Sequence, residues 1–112
     1  MKLEDFRDLL LTACPNVSHY RARGKGFPRV VYAEAGRTYY RFDNRAAART
    51  WEVDVHVYTR EEFDPIVERL EDAFDENNVP FDMTAAEYGA APTDPGDPSQ
   101  EGVMYYRFRC EV

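Results

Sequence analysis

Cysteine and histidine are scarce in this chain, and no apolar run is long enough to cross a membrane. Cys14 and Cys110 stand far apart without a CxxC partner, which excludes a disulfide framework and a zinc-ribbon spacing. Both are expected to be buried, reduced core residues. A spanning helix needs about 20 predominantly apolar residues, and none occurs. Met1-Lys2-Leu3-Glu4-Asp5 places acids where a secretory leader would be apolar, so synthesis and retention in a cytoplasm are expected. Cations are outnumbered too. The formal charge of −7 disfavours a general nucleic-acid binder, because phosphate contact needs a cationic face.

What is present reads as one domain over residues 1–112, long enough for a modest core. At 44% hydrophobic and 31% charged residues the balance is globular, with aromatics at 14%. The periodicities predict an α+β fold in which one mostly antiparallel sheet of four to five strands packs against two helices. Leu3, Phe6, Leu9, Leu10 and Ala13 share a helical face over residues 3–13, with Glu4, Asp5 and Asp8 near the positive end of the helix dipole. Asp64 offers a cap and Pro65 a first-turn position for a second helix over 64–77, whose Ile66, Leu70, Ala73 and Phe74 form a stripe. Asn77, Asn78 and Pro80 end it.

Between the helices, residues 50–58 give the clearest strand. Trp51, Val53, Val55 and Val57 alternate with Glu52, Asp54, His56 and Tyr58, the two-residue period of a half-buried sheet. Further extended segments are expected at 19–22, 29–34, 37–42, 81–88 and 103–112. Gly36 marks a turn, Gly24-Lys25-Gly26 a hairpin tip, and Ala46-Ala47-Ala48 is open between helix and loop. Residues 89–102 are polar, rich in proline and without apolar period, too long for a hairpin turn; Pro92, Asp94, Pro95 and Asp97 are its candidate contact residues, as an arm that reaches a neighbour or as an idle loop.

Charge is unevenly spread. Residues 20–50 hold eight arginines and lysines against Glu34 and Asp43, a net +6, and the remainder carries −13. That division suits a basic surface of one copy meeting an acidic surface of the next, or pairing within one copy. Arg37, Tyr39, Tyr40, Arg41, Phe42, Arg45 and Arg49 are the candidate interface residues, since tyrosine and arginine are enriched at the centres of protein interfaces. The same belt of rings and cations would also make a platform for a single-stranded nucleic acid.

No motif calls for catalysis, a metal or a cofactor. Cys14 with His19 or His56 lacks a local nucleophile frame, and lone cysteines are mostly core residues. His56 lies on the polar side of its strand. Glu68, Glu71, Asp72, Asp75 and Glu76 point to different azimuths of the second helix and read as a solvated face. Gly24-Lys25-Gly26 lacks phosphate-loop spacing.

The order of parts carries a resemblance. An N-terminal helix, Val30-Val31-Tyr32-Ala33-Glu34, then Phe42-Asp43-Asn44-Arg45, then Val53-Asp54-Val55-His56-Val57-Tyr58-Thr59-Arg60 leading through Asp64-Pro65 into a helix, is similar to the small tail-completion or tail-terminator proteins of long-tailed, siphovirus-like phages and prophages. The likeness spans nearly the whole chain, including the closing aromatic strand before Glu111-Val112, although residues 89–102 exceed the length expected there. It implies a homo-oligomeric ring, commonly six copies, that caps the tail tube and joins it to the head connector. The ring would sit at the head-proximal end of the tail in the virion and assemble in the host bacterial cytoplasm, from a chain that can be monomeric until its partner is present. No enzyme activity, cofactor, membrane or specific nucleic acid is implied. A different head–tail joining protein, or a small single-stranded nucleic-acid-binding protein, are the alternative readings.

Overall fold

Apolar stripes on two helices and alternating residues on three of five strands close one core. The computed structural model describes residues 1–21, 26–61, 63–88 and 103–112. In chain order the elements are α1 (Leu3–Ala13), β1 (Val17–His19), β2 (Arg29–Phe42), β3 (Arg45–Thr59), α2 (Ile66–Glu76), β4 (Phe81–Tyr88) and β5 (Met104–Glu111). The sheet runs β1-β2-β3-β5-β4, with a parallel β1–β2 pair and antiparallel pairs elsewhere.

Both helices have the expected inward faces. Phe6, Leu9 and Leu10 of α1 and Ile66, Leu70, Ala73 and Phe74 of α2 are buried against Val30, Tyr32, Val53, Val55, Val57, Phe108 and Cys110. The Lys2 N–H donates to Asp5 Oδ2 (3.3 Å) at the start of α1. Asp64 Oδ1 accepts the Ile66 N–H (2.9 Å), capping the start of α2 as its sequence predicts. At the other end Asn77 Nδ2 donates to the Ala73 carbonyl (2.8 Å), and the Val79 N–H to that of Phe74 (2.8 Å), so the asparagine pair and Pro80 do end the helix.

Three strand expectations change. Gly36 does not turn the chain: β2 runs through it with a register shift between Glu34 and Gly36, a bulge that reverses which side each later residue faces. Residues 46–48, open in the sequence, belong to β3 because pairing with β2 fixes them there despite alanine's weak strand preference. The short strand expected at 19–22 is β1, two residues earlier, held by the register Val17–Val30 to His19–Tyr32; Tyr20, at φ +68°, ends it.

These changes merge three expected strands and an unassigned stretch into one long hairpin. It turns at Asp43 and Asn44, whose φ values of +50° and +62° meet the requirement of a two-residue primed turn. β5 pairs with β3 only from Thr59 to Glu52, plus backbone bonds between Trp51 and Val112 (2.7 and 2.8 Å). β1 covers β2 only at Val30–Tyr32. From Arg37 and Trp51 to the turn, therefore, the hairpin is a two-stranded ribbon, roughly 20 Å long at about 3.4 Å per residue.

Candidate assembly interface

A lone two-stranded ribbon is marginally stable in water, so its side chains show what holds it. On the face continuous with the core side of β3, Arg37 pairs with Trp51 across the strands and its guanidinium lies 4.2 Å from the centre of the indole; Tyr39 pairs with Arg49. On the other face Thr38 Oγ1 donates to Glu52 Oε1 (3.2 Å), while Tyr40 Oη (2.5 Å) and Thr50 Oγ1 (3.0 Å) both donate to Glu111 Oε1. Those two bonds, Tyr40's foremost, hold the Glu111 carboxyl below its usual pKa. Glu111, at the end of β5, thus ties the ribbon's base to the sheet. Nearer the tip, Arg41 sits 5.8 Å over the Tyr39 ring and reaches the Asn44 carbonyl (3.5 Å).

All seven belt residues predicted from sequence are exposed. Tyr39 and Tyr40 keep 50% of their surface in water and Phe42 keeps 74%, large apolar areas for one short ribbon. Among the described residues none of Arg37, Arg41, Arg45 and Arg49 forms an ion pair with a carboxylate. Among the described residues the belt shows none of the pairing within one copy that the sequence left open. The predicted arm residues Pro92, Asp94, Pro95 and Asp97, like the hairpin tip expected at Gly24-Lys25, lie outside the described residues.

The sheet face away from the helices behaves differently. Arg109 Nε lies 2.6 Å from Asp54 Oδ1 and its Nη1 lies 3.5 Å from Glu52 Oε2. Arg107 Nε donates to Thr84 Oγ1 (2.8 Å). His56 Nδ1 and Tyr105 Oη are 2.5 Å apart, and burial keeps the imidazole below its usual pKa, with Arg107 adding to that and Asp54 opposing it. His56 is therefore half-buried and partnered, not the open polar residue its strand position implies. Here the charges are satisfied locally, whereas the ribbon arginines have no carboxylate partner among the described residues.

No protein-family model and no curated protein matches this chain. Its chemistry-bearing residues add little of their own. Cys14 and Cys110 are buried free thiols, and burial raises both pKa values, that of Cys110 to about 12, so neither is a ready thiolate. Cys14 Sγ lies near the Asn16 and Pro28 carbonyls (3.7 and 3.6 Å) and His19 pairs with Glu34 (3.0 Å), so neither histidine joins a cysteine among the described residues.

Trp51, Thr50, Glu52 and Glu111 were missed as parts of this interface. From sequence Trp51 is only a core-side residue of its strand, and its cross-strand partner Arg37 is set by the register beyond the bulge at 34–36. Glu111 lies in another strand, so no local pattern links it to Tyr40.

Proposed function

We propose that this chain is a structural subunit of a phage or prophage virion, a tail terminator or tail completion protein that assembles as a ring on the tail tube and joins it to the head. The observation that carries the reading is the ribbon, where exposed rings and four arginines without a carboxylate partner among the described residues stand clear of the core. Rings and arginines supply most of the binding energy in protein interfaces, and an unneutralised cationic arm steers association with an acidic partner. The resemblance in the order of parts, from Val30-Val31-Tyr32 through Asp64-Pro65, supplies the virion context. A ring requires a heterologous contact, one patch against a different patch, and the division into +6 and −13 segments supports one. Six copies at the head-proximal end of the tail, assembled in the bacterial cytoplasm, complete the reading. It asks for no chemistry, metal or cofactor.

Purified tail tubes from the phage or prophage that encodes this chain, stripped of their end proteins, provide the test. Electron microscopy after incubation is expected to show a ring at one end of each tube. Binding to head connectors while the tubes stay bare would assign the alternative joining role. Binding to neither, with retention of a single-stranded oligonucleotide at moderate salt, would replace both with the nucleic-acid reading that Tyr39, Tyr40 and Phe42 also permit.

A further inference from the structure

Where the ribbon leaves the sheet, the middle of β3, the ends of β5 and α2 and the start of β4 border an open cavity of about 610 Å³. At liquid density that is the volume of about twenty water molecules, enough for several side chains. Glu52, Asp75, Asp82 and Glu111 line it, with Arg109 as the cation among the lining residues. Arg109 is already committed to Asp54 and Glu52. Asp75 and Asp82 have no ion pair among the described residues. Asp75 also lies in the last turn of α2, which carries no basic residue, so its carboxylate adds to the negative end of the helix dipole. The cavity is thus an acidic recess in which Arg109 offsets Glu52 alone of the four lining carboxylates among the described residues.

We propose that this recess receives the arginine-bearing ribbon of a second copy of this chain. The inference rests on the reading of the ribbon as an assembly arm and names the surface to which that arm binds. The molecule's own ribbon is built not to fill the recess. It turns Thr38 and Tyr40 toward it, while Arg37 and Arg49 line a different depression, with Lys2, Glu4 and Trp51 beside the start of α1. Donor and acceptor therefore occupy different faces of one copy, the arrangement that propagates head to tail and closes as a ring when the rotation allows. A nucleic acid would be repelled by the recess, whereas the ribbon brings arginines and rings to a site with an excess of carboxylates and an apolar wall at Val79, Pro80 and Phe81.

Complementary charge reversal tests this. Two variants are made, a donor variant with Arg41→Glu and Arg45→Glu and an acceptor variant with Asp75→Lys and Asp82→Lys, each confirmed as folded by circular dichroism. Sedimentation velocity over a wide concentration range then measures self-association. Like charges brought together across an interface cost several kcal/mol, so each variant alone is expected to associate about 100-fold more weakly than the unaltered chain. Mixed together they are expected to regain assembly with the two variants alternating, because the ribbon of each matches the recess of the other. A single chain carrying all four reversals is expected to associate again. An acceptor variant that associates like the unaltered chain would overturn the recess while leaving the ribbon reading intact. If the donor variant also associates normally, or the unaltered chain stays monomeric at millimolar concentration, the ribbon reading fails with it. Two weakened variants that neither combine nor regain association in the four-reversal chain would overturn the pairing.

Discussion

Shortening the hairpin so that Thr38 runs into Thr50 through an Asn-Gly turn is expected to abolish assembly while leaving the fold close to its original stability. Thr38 and Thr50 face each other in the register, so two residues bridge them, and Asn-Gly favours the primed turn that such a bridge needs. The residues removed include the exposed rings of Tyr39, Tyr40 and Phe42 and Arg41, Arg45 and Arg49, which form no ion pair among the described residues, and none of them belongs to the hydrophobic core. Glu111 loses its bond from Tyr40 and keeps the one from Thr50. Substitution of surface groups of this kind changes stability by about 0.5 kcal/mol or less, so the melting temperature should hardly move. A shortened chain that still assembles would remove the ribbon from the account. One that no longer folds would make the ribbon part of the fold and not an arm.

The opposite profile is expected of Phe74→Ala. The Phe74 ring lies fully buried on α2 and meets Phe6 at 6.0 Å, Phe81 at 5.2 Å and Phe108 at 5.6 Å between centroids, the last edge to face. It therefore joins both helices to the two strands at the far side of the sheet. Removing a buried phenylalanine ring costs about 3–5 kcal/mol in lost transfer energy and residual cavity. Against a total stability of roughly 5–15 kcal/mol, that lowers the melting temperature by roughly 10–20 °C. Phe42→Ala, at the ribbon's exposed tip, is the control and should leave the melt unchanged. Equal effects of the two would mean that the core is not centred on α2.

The two profiles separate what the sequence states from what only the fold assembles. Val53, Val55 and Val57 alternate over a full strand, and Ile66, Leu70, Ala73 and Phe74 hold a helical stripe, so the core was legible; each pattern is local and each is driven by burial. The ribbon was legible as composition, since Arg37 to Arg49 stood out as cationic and aromatic. Its shape was not. Glycine is read as a turn because it tolerates unusual backbone angles, yet Gly36 sits within a strand next to a bulge, and the alanines at 46–48 have no period of their own. Only pairing with β2 makes them strand. Bulges near 34–36 and 46–48 each shift the side-chain alternation by one residue, so which rings share a face is settled by register. The acidic recess was the least legible feature. Glu52, Asp75, Asp82 and Glu111 come from four elements, and Asp75 by itself is one more acid on a solvated helix face.

Amide hydrogen exchange along residues 38–50 tests the central claim most directly, because the backbone of a two-stranded ribbon is protected mainly by the pairing of its own two strands until another chain covers it. In the dilute monomer these amides should exchange fast while those of Val53, Val55 and Val57 stay protected, and after assembly, alone or on tail tubes, the ribbon should slow to rates near those of the sheet. Ribbon amides that exchange equally fast in the monomer and in the assembled ring would contradict the claim that this arm is the part of the chain that holds its neighbour.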